Sequence, residues 1–505
     1  MYRILSASKD TYVTNKIIDN SFRVTDANVG NAATLDIFKL YAESVSGSNT
    51  TPIELSRGMV KFDFSPLATL RNTKLDITDS SFQCLLKLSD VYGGQTTPAN
   101  FKMIVFPLAQ AFDEGIGRDI IRYADLDAAN FVTASVSSGV IAEWNLEGAM
   151  KSGSLGDSNI DVIVSGNLGA GIINLSREQA FITGKEDLEV NITPIVSGVL
   201  TSQIPDHGFL FALSGSYETN SKTYFVKRFA SREALNVTKR PQIIVKYNDT
   251  MQDNHRNFIF NVTGSLFLNN FHRGQPANII DSSGNTVTGH KCMLLKVVSG
   301  NYSQSMDVSQ FSYSSAEPFL TGVYSASFGV SEYSPALRPE ILSAASATFS
   351  EIWGSSDGST GFLTSSFIIK TNERTGYFNT PNRILATITN LQSSYSKNEE
   401  IRIRVFAEDR DRPIKYKKLP IELPSEIFSS MHYRVKDFNS GDIVIPFDTT
   451  NNSTLMSTDS QGMFFDFYLS SLTPGRAYVF EFLIRESNFD QILTDVAAKF
   501  IVENR

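Results

Sequence analysis

"MVKFDFS", residues 59–65, alternates apolar and polar side chains with the two-residue period of a β-strand. Val60, Phe62 and Phe64 fall on one face, which predicts a core-facing surface there. The same signature recurs in "FKMIVFP" at 101–107, "IDVIVSG" at 160–166, "GFLFALSGS" at 208–216 and "PQIIVKYN" at 241–248. Short strands separated by turn residues imply an antiparallel sandwich. Helix is expected only in pieces, around Pro66 to Arg71 and Glu147 to Lys151.

At "NDTMQDNHRN", residues 248–257, the apolar spacing disappears. A domain boundary is expected here, and limited proteolysis is expected to cut within it. Further strand-like runs follow from about 255 to 370: "NFIFNVTG", "KCMLLKVV", "GVYSASFGV" and "TSSFIIKT". Ser/Gly-rich connections are expected between them, notably 303–320 and 354–366. From about 374 to 505, "RILATITNL", "EEIRIRVFAED", "GMFFDFYLSSL" and "RAYVFEFLIRE" give roughly seven runs, the economy of an immunoglobulin-like sandwich. Ile401, Ile403 and Val405 share one strand face, with Arg402, Arg404 and Phe406 on the other. In "LTPGRAYVFEF", Pro474 and Gly475 make a turn, after which Tyr478, Phe480 and Phe482 share one side. The reading is an all-β chain of three domains: an antiparallel sandwich over 1–249, which the resemblance given below makes a jelly roll, a β-rich middle domain over 255–370 and an immunoglobulin-like sandwich over 374–505.

Composition agrees. The 505 residues exceed what one core usually supports, and 36 Phe and 18 Tyr stand beside only 19% charged residues. A formal net charge of -8 opposes general attraction to nucleic acid or to an anionic membrane. The basic run Arg410, Arg412, Lys415, Lys417 and Lys418 reads as a solvated loop. Cys84 and Cys292 form neither a disulfide framework nor a metal-ligand set and read as buried thiols. After Arg3, Ile4 and Leu5 there is no apolar export segment, and no run is long enough to span a bilayer, so folding in a cytoplasm is expected. On that expectation the Asn-x-Ser/Thr triplets at Asn191, Asn236, Asn261 and Asn301 are chance.

Asp10 with Asp63, or Asp113 with Glu114, is a conceivable glycosidase pair, but turn-capping Asp is far commoner. "DSSGN" at 281–285 and "SSDGS" at 355–359 resemble calcium loops without a complete acidic set and read as β-turns. His207, His255, His272, His290 and His432 never fall at ligand spacing, and each reads as a loop or surface imidazole. Trp144 and Trp353 are sugar-stacking candidates that read as core. No catalytic, cofactor-binding or metal-binding residue is therefore assigned, and a non-enzyme without cofactor is expected.

Across the first 249 residues an ordered series of elements resembles the DNRLRE-type jelly-roll domain of cell-wall, adhesion and phage structural proteins. Asp10, Thr11 and Tyr12 occupy its Asp-Thr-Tyr strand; Asn28 and Gly30 its Asn-x-Gly turn; Arg57, Lys61, Phe62 and Asp63 its Arg-x-x-x-Lys-Phe-Asp strand. Ser231 and Glu233 occupy its Ser-x-Glu segment, and Arg240, Pro241 and Tyr247 its closing strand. The domain order, together with "ATFSEIWGSSDGSTGF" at 347–362, resembles structural proteins of tailed bacteriophages. What that resemblance implies is a non-enzymatic virion component of the tail, neck, baseplate or fibre attachment region, assembled in the host cytoplasm. Its implied partners are other virion proteins, in multiple copies, with neither nucleic acid nor membrane. The alternative is a glycan-binding adhesin module for host-surface attachment.

Overall fold

The computed structural model describes residues 1–19, 22–43, 52–71, 73–94, 97–121, 127–169, 171–314, 318–371, 383–411, 425–486 and 489–504. The chain is all-β and forms two compact units. One comprises Arg3–Ala68 and Phe82–Lys246. The other gathers Met1–Tyr2, Thr69–Ser81 and Tyr247–Arg505. Among the described residues no helix is long and apolar enough to cross a membrane.

The first unit is the antiparallel jelly-roll sandwich. Its principal strands are β1 (Tyr2–Thr14), β2 (Thr34–Tyr41), β3 (Ile53–Phe62), β4 (Gln83–Leu88), β5 (Phe101–Pro107), β6 (Arg177–Phe181), β7 (Leu188–Asn191), β8 (Phe209–Leu213), β9 (Tyr224–Ala230) and β10 (Gln242–Lys246). The spatial order is β6-β5-β8-β3-β1-β10-β4-β7, with β2 also on β3 and β9 on β2. Neighbours distant in sequence mean that the chain crosses repeatedly between sheet positions, as in a Greek-key winding.

Val60, Phe62 and Phe64 are buried, as their alternation predicts. Met59 on the opposite face is buried too, because β3 is covered on both sides. Phe62 meets Phe209 edge to face in one core. Met59 belongs to another core with Leu210, Phe131 and Trp144, supplied largely by the long insertion between β5 and β6. Gly58 is required where Phe211 crosses β3: a Cβ there would lie 2.1 Å from the Phe211 ring.

Two local expectations fail. Ser65–Arg71 is helical, but Glu147–Lys151 is not: Gly148 and Ala149 both have positive φ, which a right-handed helix does not admit. Thr193–Leu200, inside "EDLEVNITPIVSGVL", is a helix that the strand-like Ile/Val content conceals; Pro194 sits at its start, where no N–H is needed.

In the second unit, the segment after Tyr247 contains a six-stranded sheet built from β11 (Gly264–Asn269), β12 (Met293–Ser299), β13 (Tyr302–Gln310), β14 (Val323–Phe328), β15 (Ser346–Ser355) and β16 (Gly361–Lys370). Its order is β11-β14-β13-β12-β15-β16. The supposed connections 303–320 and 354–366 are therefore partly strand: β13 runs to Gln310, and 354–366 is the turn and first half of the β15–β16 hairpin. Ser303, Ser305, Ser365 and Ser366 occupy exposed strand positions, where hydroxyls tolerate the pleat as well as a loop.

Toward the C-terminus, β17 (Ile384–Ile388), β18 (Ser394–Ser396), β19 (Glu400–Asp409), β20 (Met431–Asp437), β21 (Ile443–Ile445), β22 (Ser457–Asp459), β23 (Gly462–Tyr468), β24 (Ala477–Glu486) and β25 (Phe489–Glu503) make two sheets. Their orders are β17-β19-β23-β22 and β18-β25-β24-β20-β21, an immunoglobulin-like sandwich. Ile403 and Val405 are buried, while Arg402 and Arg404 pair with Asp466 and Asp459 on the other face. Tyr478, Phe480 and Phe482 are buried on one side of β24. The Tyr478 hydroxyl donates to Thr473 O (2.8 Å) and accepts from Thr473 N (3.0 Å), a tyrosine corner that locks the Pro474-Gly475 turn.

The polar stretch 248–257 is not a loose linker. Met251 and Gln252 bond to β22 through Thr458 N, Ser457 Oγ and Met456 O, and the Thr458 hydroxyl donates to Asp253 O. Backbone held this way resists proteolysis, so the expected cut there is withdrawn.

Phe62→Ala removes a fully buried ring and is expected to cost about 3–5 kcal/mol, read as a lowered melting temperature of the jelly-roll transition. An unchanged transition would show that the site refills its cavity or that the ring is wet.

Candidate functional site

Strand β1 carries the buried Asp10 to a point where two distant segments converge on it. Its Oδ2 accepts from the Arg232 backbone N–H (2.5 Å), and its own N–H donates to Glu114 Oε1 (2.8 Å). Glu114 in turn takes a forked contact from the Arg232 guanidinium, Nε at 3.0 Å and Nη2 at 2.9 Å, and Glu233 Oε1 lies 3.0 Å from the same Nη2. Burial pushes the Asp10 carboxyl up to about 7, against the lowering pull of the Arg232 N–H. Asp10 Oδ1 and Thr11 Oγ1 have no hydrogen-bond partner among the described residues.

The loop carrying Glu114 is fixed by Asn28. Its Nδ2 donates to Glu114 O (2.9 Å) and Ala129 O (2.8 Å), and its Oδ1 accepts from Gly30 N (3.1 Å) and Gly117 N (3.0 Å). A Cβ on Gly30 would lie 1.9 Å from Glu114 O, which is why this turn needs Asn followed two residues on by Gly. Ser231 completes the arrangement: its hydroxyl donates to Ala32 O and accepts from Glu233 N (3.0 Å). Asp10, Asn28, Gly30, Ser231 and Glu233, far apart in sequence, thus form one hydrogen-bonded corner. Arg57 works elsewhere, forking onto Glu218 (2.8 and 2.7 Å) and donating to Gly148 O (2.6 Å).

The two carboxylate pairs considered from sequence are not what the structure assembles. Asp63 accepts from Ser65 N (2.9 Å) at the start of the helix Ser65–Arg71, and that N–H holds its carboxyl below the usual range. Asp113 accepts from Val136 N (3.0 Å) and faces Lys9 at 3.5 Å. The pair actually joined is Asp10 with Glu114, and each is occupied by Arg232. Bound in this way they act as a clasp between segments.

The calcium-like loops close on themselves. Asp281 accepts from Asn285 N (2.8 Å) and Ser283 N (2.9 Å), and Asp357 accepts from Ser355 Oγ and from Ser359 N (3.0 Å). The serine donors hold the Asp357 carboxyl down at about 2, while Gly284 and Gly358 supply positive φ. Trp144 and Trp353 are both buried, with indole N–H groups donating to Asn130 O (3.0 Å) and Glu351 Oε2 (3.1 Å). Of the basic run only Arg410 is described, 3.3 Å from Glu408 Oε1; Arg412, Lys415, Lys417 and Lys418 lie outside the described residues. Cys84 is buried and Cys292 partly so, both as free thiols.

Sequence reasoning missed the ionic groups that go inside. Lys227 is fully buried; its Nζ donates to Asp90, Gly184 O (2.9 Å) and Glu186 O (2.7 Å) and lies over the Phe181 and Phe229 rings. Two histidines also depart from the surface reading. His432, on β20, is buried, which pushes its imidazole down to about 4. His255 is mostly enclosed between Asp253 Oδ1 at Nδ1 and Glu351 Oε2 at Nε2 (3.0 Å). Burial pulls that imidazole down, but the hydrogen bonds and charges of Asp253 and Glu351 prevail and hold it up at about 10. The His-Asp part of this bridge is local in "QDNHRN"; the Glu351 part has no local signal.

No family model matches the chain, and neither does any curated protein. Among solved structures it is similar to the tandem Ig repeats of Dlar, at 11% identity and TM-score 0.14, covering 51% of this chain and 96% of that one. It is similar also to the FN1–FN3 domains of chicken CNTN1, at 10% identity and TM-score 0.13, covering 54% and 82%. A third is the BSP domain of a biofilm associated protein, at 8% identity and TM-score 0.15, covering 99% and 96%. Similarity at these TM-scores carries no weight for function.

Two pH-dependent outcomes follow from the buried groups. A folded-state His255 value of about 10 lies above its ordinary 6.5, so its stabilisation is complete below about pH 6.5 and fades as pH rises through about 10. His255→Gln, leaving two buried carboxylates unmatched, is expected to lose about 3–5 kcal/mol at pH 7 and to abolish the alkaline fall of the melting curve. Asp10 is raised from 3.8 to about 7, so the folded state binds its proton more tightly and stability from this group declines as pH climbs between those values. Asp10→Asn, which keeps an acceptor for Arg232 N, is expected to flatten that decline and to gain about 1–3 kcal/mol at pH 8. A variant less stable than wild type at pH 8 would refute the assignment.

Proposed function

We propose that this chain is a non-enzymatic structural component of a tailed bacteriophage virion, working through protein–protein interfaces in the tail, neck, baseplate or fibre attachment region. Support comes first from how the jelly-roll unit presents apolar residues. Leu235 is 98% exposed and Ile116 75% exposed, and each sits within three residues of a member of the Arg232–Glu114 clasp. Large apolar side chains on loops pinned by ion pairs lose little freedom on docking, the condition that favours a stable interface. Ile121, Ile172 and Ile182 add further exposed apolar positions on the same unit. Carboxylates that would have had to serve a glycosidase are committed to bonds that hold the fold, which removes the motive for a hydrolytic reading. The order of β domains and the resemblance of residues 1–249 to the DNRLRE-type domain point the same way. Other virion proteins, present with this one in multiple copies, are the partners, and the assembly forms in the host cytoplasm. The adhesin alternative loses its two tryptophan platforms to the core.

Mass spectrometry of purified phage particles tests the proposal. The chain is expected in fixed stoichiometry with other tail or neck proteins, and hydrogen exchange around Ile116 and Leu235 is expected to slow on assembly. Absence from particles, together with tight binding of the isolated chain to a host glycan, would replace it with the adhesin reading.

A further inference from the structure

The six-stranded sheet ends on one side in β16, ten residues long, "GFLTSSFIIK". Lys370 shows which way its backbone groups point: its N–H donates to Phe258 O and its C=O accepts from Phe260 N, both 3.0 Å and both away from β15. In an antiparallel ladder the direction alternates, so Ile368, Ser366 and Thr364 also aim N–H and C=O outward. Among the described residues nothing pairs with these groups. At the other edge of the same sheet, on β11, Ser265 N donates to Asn254 Oδ1 (2.9 Å) and Ser265 O accepts from Asn254 N (2.9 Å). Each edge is thus held by the chain at one residue, Ser265 on β11 and Lys370 on β16, and β16 is the longer of the two.

Natural sheet edges are usually blunted by charge, proline or shortness. Residues 361–369 have no ionisable side chain and no proline, and Leu363 and Ile368 are 42% and 48% exposed. We infer that β16 is a strand-pairing interface for a second copy of this chain, joined antiparallel about a two-fold axis at Ser366. That register sets Ser366 against the partner's Ser366 and Thr364 against the partner's Ile368, so every outward donor meets an acceptor. Small hydroxymethyl groups lie at the axis, and the lack of charge avoids the like-charge contact that two-fold symmetry imposes on any ionised residue placed there. Pairing stops at Lys370, where residues 258–260 already occupy the groups. Two six-stranded sheets become one of twelve strands. The contact is short, so the dimer is weak alone and gains from repetition in a larger assembly. The inference goes beyond membership in a particle and does not depend on it.

Sedimentation equilibrium of the full chain is expected to show a monomer–dimer equilibrium. Ser366→Pro deletes an outward N–H while leaving the ladder to β15 intact, and is expected to raise the dissociation constant at least about tenfold with the melting temperature preserved. Ser366→Cys is expected to form a covalent dimer on oxidation. Thr364→Cys is not, but Thr364→Cys combined with Ile368→Cys is, because that register alone brings positions 364 and 368 together. A chain that stays monomeric up to roughly 1 mM, the weakest affinity such a contact could usefully have, would overturn the inference. So would a dimer indifferent to Ser366→Pro, or cross-linking that ignores position.

Discussion

A charge taken out of water must find its counter-charge and hydrogen bonds where it lands, and this chain uses that requirement to place its long connections. In the jelly-roll unit, Asp10, Glu114 and Arg232 meet from β1, the insertion and the segment after β9. Arg57 with Glu218 and Lys227 with Asp90 repeat the device at two other places. In the second unit, His255 is held between Asp253 and Glu351, which ties the stretch after Tyr247 to β15. Each clasp costs desolvation and returns most of it only when every partner is in position. The reward is specificity: a loop displaced by a few ångströms would leave an ion unmatched.

Around these clasps the energy of folding comes from aromatic packing. Phe101 stacks on Phe181 at 5.0 Å, Tyr433 on Phe465 at 4.1 Å and Phe480 on Phe500 at 4.9 Å, so each sandwich has its own ring cluster. The jelly roll adds a second layer because its insertion covers the outer face of the sheet, burying Met59, Leu210 and Trp144. That layer accounts for β3 being buried almost throughout. Leu235 and Ile116 remain outside these cores, among several exposed apolar side chains of the same unit.

The same physics separates what these side chains look like from what they do. Asp63, Asp281 and Asp357, each with a Ser two residues on, carry the acid spacing of a site, yet their nearest donors are backbone N–H groups in their own turns. A free carboxylate beside an unpaired N–H collapses onto it before it can serve a ligand. Asp10 differs because its carboxylate accepts from the backbone N–H of Arg232, more than two hundred residues away in sequence, rather than from its own turn.

Local chemistry was sufficient for much of the architecture. Alternation in "MVKFDFS", "EEIRIRVFAED" and "RAYVFEF" specified strands and their buried faces, and Pro474-Gly475 specified a turn, because pleat and turn geometry act over two to four residues. The Asn28-x-Gly30 signature was visible as well, but its reason was not: only the tertiary structure brings Glu114 O to where a Cβ at Gly30 would stand. Nothing local distinguished Lys227 or His432 from a surface residue, since burial depends on partners contributed by remote segments. For the same reason the six-stranded sheet, its order and its open edge at β16 were decided by long-range pairing, which leaves no periodic trace in the sequence of either strand.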